Sequence, residues 1–113
     1  MKKALVSAVM LAAIGTVCMS SMAQNYPSRP VRIIVPFAPG GGSDIFGRTL
    51  AVRLSEALGQ PVLVENRPGG NTVIGTQFVF KSPADGYTML MGTASHVTYP
   101  LLTATPYDAV RDF

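Results

Sequence analysis

Apolar positions along this chain first run together and then recur in short bursts. Residues Ala4 to Val17 are apolar or small, a run shorter than the roughly 20 residues that cross a bilayer. Met1-Lys2-Lys3 precedes the run as a cationic lead, and Ser21-Met22-Ala23 follows with small residues at the −3 and −1 places of a cleavage site. Together these three parts predict a secretory signal peptide over residues 1–23, cut between Ala23 and Gln24. Cys18 lacks the preceding Leu and Gly/Ala of a lipid-anchored precursor, since Gly15 and Val17 stand there. Cys18 therefore reads as a residue of the removed segment, which leaves residues 24–113 without a cysteine, as suits an exported protein that relies on its core.

After Pro30 the pattern becomes regular. Val31 to Phe37 is β-branched and almost continuously apolar, as in a strand covered on both faces. Pairing is expected to fade at Pro36, which has no N–H to donate. Ala38 to Gly42 is a Pro/Gly loop. Ser43 or Asp44 is expected to cap the helix that follows, in which Phe46, Leu50, Leu54 and Leu58 recur every four residues. Gly59 and Pro61 close that helix. The cycle repeats with a strand over Pro61 to Asn66, a Gly/Pro loop over Arg67 to Thr72, and a short helix over Val73 to Lys81 that stacks Ile74 on Phe78. Pro83 to Gly86 has turn chemistry. Tyr87 to Met91 is a third strand, followed by a small-residue loop from Gly92 to His96. Val97 to Phe113, with Pro100 and Pro106, carries no firm helix or strand pattern. The order βαβαβ predicts an α/β fold with a parallel sheet and right-handed crossovers, and three strands with two helices leave a sheet edge uncovered.

Charge changes little. The formal net charge of +3 includes Lys2 and Lys3, and without them seven basic residues face six acidic ones. No basic run or basic aromatic stripe points to nucleic acid. About 90 residues suffice for one small domain.

Candidate chemistry gathers after the strands, where ligands of parallel sheets bind. Pro39-Gly40-Gly41-Gly42-Ser43-Asp44 brings three glycines to a helix start. Backbone N–H groups there can approach an anion closely, although the same residues also suit a plain βα turn. A Walker A loop over Gly42 to Thr49 fails because Arg48 replaces Lys and the apolar spacing puts Gly47 inside the helix. A dinucleotide fingerprint from Gly40 and Gly42 would need glycine where Ile45 stands. Ser43 has no G-x-S-x-G setting, and His96 is the single histidine. A triad of Ser43, His96 and Asp85 has no support in the spacing. No Cys/His/carboxylate cluster suggests a metal, and no cofactor is expected. An α/β enzyme or sensor domain that uses the Gly-rich loop for an anion is the alternative.

The run from Tyr26 to Asp44, YPSRPVRIIVPFAPGGGSD, resembles the mature N-terminus of the extracytoplasmic receptors of tripartite tricarboxylate transporters, the Bug family. Leu58 to Val62 with Val64 to Gly69, Pro83 to Thr88, and Pro106 to Asp108 with Asp112-Phe113 resemble its later signatures. The resemblance implies a periplasmic-binding-protein-like (type II) lobe with a parallel βαβαβ core. It implies a second lobe that is missing here, so residues 24–113 read as the N-terminal portion of one lobe. It further implies a periplasmic receptor that captures a small carboxylate and passes it to integral-membrane transporter subunits, as a monomer at full length and with no catalysis. By position, the family's first ligand loop falls on Phe37, Ala38, Pro39, Gly40, Gly41, Gly42, Ser43 and Asp44. The second falls on Gly69 to Ile74, with Asn71 singled out, and the third on Thr93 to His96, with Thr93, Ser95 and His96. Two departures stand out: Gly70-Asn71-Thr72-Val73 in place of the glycine-richer stretch usual after Pro-Gly in the family, and Tyr99-Pro100 where Asn-Pro is common.

Overall fold

The computed structural model describes residues 26–113. The leader segment and Cys18 lie outside the described residues. Strand β1 (Val31–Val35) leads into helix α1 (Gly42–Leu58), β2 (Val62–Asn66), a 3-10 turn (Gly70–Thr72), α2 (Val73–Phe80), β3 (Thr88–Leu90), α3 (Ala94–Thr98) and a second 3-10 turn (Tyr99–Leu101). The strands are parallel in the order β2-β1-β3. β1 is the central strand and ends before Pro36, as its chemistry requires. The chain adds β2 on one side of β1 and then crosses to add β3 on the other, which makes the carboxyl end of β1 the switch point of the sheet.

Alternation along β1 divides the core between two faces. Val31, Ile33 and Val35 form one buried cluster with Val62 and with Ala51 of α1. Ile34, also fully buried, looks toward α2 on the opposite face. There Gly75 lies so close to the sheet that a Cβ would stand 2.8 Å from both the Arg67 carbonyl oxygen and the Pro36 side chain. The two helices thus cover opposite faces of one three-stranded sheet, the arrangement the βαβαβ order predicts.

Two expected helix faces are corrected. In α1, Phe46 is exposed, and the buried stripe is Asp44, Gly47 and Ala51, continued by half-buried Leu54 and Leu58. The reason is steric. Gly47 lets the helix sit against β1, where a Cβ would stand 3.2 Å from Val35. In α2, Ile74 is exposed and forms no part of the buried core. Phe78 instead lies under the Arg67 guanidinium, 3.7 Å from its ring centre, a cation–π contact.

Helix α1 ends at Gly59, which takes a left-handed φ of 66° and donates to the Ser55 carbonyl. Ser55 then links helix to sheet, since its hydroxyl donates to the Ala51 carbonyl and accepts the Val62 N–H. At the same amino end of the sheet, the Tyr26 hydroxyl donates to the Gly86 carbonyl and Arg29 pairs with Asp85. These bonds fix the lead-in across the turn before β3.

A candidate carboxylate site at the strand ends

Asp44 organises the loop between β1 and α1. The residue before the helix is Gly41, whose extended backbone makes no side-chain cap, so the expected cap by Ser43 or Asp44 is not formed. Asp44 sits in the first turn and turns inward, with only 4% of its surface exposed. Its carboxylate accepts the Gly40 N–H at 2.9 Å, the Arg48 Nε–H at 3.1 Å and the Asn66 amide at 2.9 Å. The Gly40 N–H, Arg48 and Asn66 together hold the carboxyl down to about 2, against an ordinary 3.8, while burial opposes them. Asn66 also donates to the Phe37 carbonyl and accepts from Arg48. One network therefore ties the first loop to the end of β2. Gly40 turns at a φ of 84°, a conformation that costs glycine little.

The consequence lies on the outer side of the same loop. The N–H groups of Gly41, Gly42 and Ser43 donate to no protein acceptor among the described residues. They open the 17-residue helix α1, whose dipole favours an anion by about 0.3–1 kcal/mol at an exposed end. Asp44 does not compete for this position, because its charge is turned inward and paired with Arg48 at 3.1 Å. The arrangement can hold an anion by backbone donors.

The second loop takes an unusual course. Gly70, Asn71 and Thr72 have consecutive positive φ values of 55°, 50° and 77°. This left-handed turn folds the loop toward the first one. A cleft of about 180 Å³ lies between them, lined by Pro36, Phe37, Ala38, Pro68, Gly69, Asn71 and Thr72. Of the residues singled out in the sequence, Phe37, Ala38 and Asn71 thus meet in one cleft, and Pro39 to Asp44 continue from its wall. Arg48, Asn66 and Thr72 carried no functional signal in the hydropathy pattern, although the four-residue spacing of Asp44 and Arg48 suits a helical ion pair.

The third loop is shorter than expected. Ser95 and His96 lie within α3, and Thr93 precedes that helix with its hydroxyl buried. His96 stacks on Tyr107 at 5.8 Å and meets Phe113 edge-on at 4.8 Å. It lines a separate groove of about 480 Å³ beside β3, with Phe80, Leu90 and Phe113. The structure does not bring His96 to the cleft that Phe37 and Asn71 share. Among the described residues, no group of three or more His, Cys, Asp or Glu gathers to hold a metal.

Residues 46–113 match the model of the tripartite tricarboxylate transporter family receptors. The chain belongs to that family. It is similar to Protein BugT of Bordetella pertussis, 47% identical over 93 residues, which are 80% of this chain and 28% of the relative. Among solved structures it is similar to the periplasmic binding protein BugD, with a TM-score of 0.56 and 46% identity over 57% of this chain and 22% of that one. It is also similar to MatC from Rhodopseudomonas palustris with bound malate, with a TM-score of 0.69 and 30% identity over 78% of this chain and 31% of that one. The chain spans less than a third of the length of the curated relatives it matches. The α/β sheet is that of a periplasmic-binding-protein lobe, and the family is one of solute-binding receptors.

Proposed function

We propose that this chain supplies the carboxylate-holding part of an exported receptor, which captures a small carboxylate for a membrane transporter and does not transform it. The observation that carries this reading is the outward set of N–H groups on Gly41, Gly42 and Ser43, beside an Asp44 whose charge is locked inward. A carboxylate oxygen offers the lone pairs these donors lack, and charge-assisted bonds of this kind are short and strong. The relative solved with malate supports the same ligand class. In this reading Phe37 to Asp44 and Asn71 form the first two ligand loops, and Thr93 and Ser95 contribute from the third, whereas His96 stands apart in the groove beside β3. Calorimetric titration with succinate, malate, citrate and ATP tests it. Binding of the carboxylates without ATP is the expected result, and binding of ATP alone contradicts it.

The same reading places the protein in the periplasm, as a monomer that meets integral-membrane transporter subunits. Residues 1–23, outside the described part, serve as the signal peptide. N-terminal sequencing of the exported product is expected to begin at Gln24. A lipid-bearing N-terminus at Cys18 would place the protein on a membrane instead.

A further inference from the structure

One side chain outside the three loops reaches both ends of the first one. Asn66 closes β2, where its backbone is paired with Val35 of the central strand. The following Arg67 N–H donates to the Val35 carbonyl at 2.8 Å and pins that strand end. From this fixed point the Asn66 amide nitrogen donates to the Phe37 carbonyl at 3.1 Å, where the loop begins. Its second N–H goes to the Asp44 carboxylate at 2.9 Å, where the loop ends. The amide oxygen accepts from Arg48, one turn further along α1, at 3.0 Å. The reverse orientation would set that oxygen against two acceptors, so the network fixes which way the amide faces. An ionised aspartate of the same shape supplies acceptors alone.

We propose that Asn66 is a positioning residue of the carboxylate site: by holding Phe37 and Asp44 at a set separation, it aims the Gly41, Gly42 and Ser43 N–H groups at the ligand. The inference rests on the proposed receptor function and deepens it. Asn66 itself touches no ligand. It keeps the loop preorganised, so that binding does not have to order three backbone donors. Fold and binding separate at this residue, because Asp44 retains the Gly40 N–H and Arg48 when the amide is lost.

The test titrates the protein, Asn66→Ala and Asn66→Asp with succinate at about pH 8 and about pH 5, well below the melting temperature of each. Each affinity is divided by the parent's at the same pH, which cancels the protonation of succinate itself. Asn66→Ala removes both donors without adding charge. It is expected to bind about ten-fold more weakly at both pH values, the scale of one hydrogen bond to a charged group. Asn66→Asp sets a carboxylate oxygen against the Phe37 carbonyl and Asp44, and like charges so close raise the pH at which one takes up a proton. Arg48 is the cation beside this pair. Glu65 and Arg67 alternate to the opposite face of the strand and pair with each other. A loss of about ten-fold or more is therefore expected at the higher pH, narrowing at the lower one, where a protonated carboxyl donates as the amide does. Parent-like affinity in Asn66→Ala overturns this inference and leaves the loop reading intact, provided Gly41→Pro still loses the carboxylate. Failure of Asn66→Ala to fold makes the residue structural and overturns it as well. A loss in Asn66→Asp that is the same at both pH values overturns the donor role. A parent that does not bind succinate overturns both readings.

Discussion

Gly41→Pro is expected to abolish measurable carboxylate binding in a protein that still folds. Gly41 has a φ of −80°, within the range that proline imposes. A Cβ there would come no closer than 3.7 Å to the Ala38 carbonyl oxygen, an ordinary contact. The substitution therefore removes one N–H and stiffens the loop with little distortion of the fold. Where three donors share one carboxylate, loss of one charge-assisted hydrogen bond costs about 1.5–3 kcal/mol. That is a ten- to hundred-fold loss, enough to put a ligand that the parent binds at about 100 μM beyond ordinary calorimetry. The unfolding temperature is expected to stay within a few degrees of the parent's. Unchanged carboxylate affinity would make the loop a connector and move the site elsewhere.

Asp44→Ala is expected to do the reverse and damage the fold first. It leaves the Gly40 N–H, the Asn66 amide and the Arg48 guanidinium without the carboxylate they share. Losing the hub of a buried polar network is among the more destabilising changes a surface-proximal residue can suffer. A fall of several degrees in unfolding temperature is expected at neutral pH. The pH dependence has a definite sign. Asp44 titrates near 3.8 when ordinary and at about 2 in the folded protein, so the unfolded chain takes up the proton first. Its stabilisation is complete above about pH 4, shrinks between about pH 4 and 2, and is gone below. Thermal melts between pH 2 and 7 are expected to show this acid loss in the parent and less of it in Asp44→Ala. Superimposable curves would mean that the network does not stabilise the fold.

Much of the fold was legible because strands and loops announce themselves chemically. The β-branched run of Val31 to Val35, the stop at Pro36 and the left-handed Gly59 are each local effects, and the structure places each where the residues demand. Helix faces were less legible, for a physical reason. Hydropathy gave Phe46 to the core, but close approach of α1 to β1 needs small residues at Gly47 and Ala51. A polar Asp44 is buried because its partners are Gly40, Arg48 and Asn66, and two of these are brought in by the turn and by β2. The left-handed path of Asn71 and Thr72 was equally hidden, since a β-branched residue at positive φ contradicts its own local preference. Such a conflict is settled only by the assembled structure, here beside the cleft. The placement of His96 depended on Tyr107 and Phe113, which are distant in sequence and carry no periodic signal.

The central claim is that backbone donors at the start of α1 hold the ligand's carboxylate. Titration of isotopically labelled protein with succinate, followed through its amide NMR signals, addresses it most directly. The account predicts that the Gly41, Gly42 and Ser43 amides shift downfield together as succinate is added, saturating at one dissociation constant. The Gly40 amide, already bonded to Asp44, is predicted to move less. Saturating shifts confined to residues around His96, with these three amides unmoved, would contradict the account and place the carboxylate in the groove beside β3.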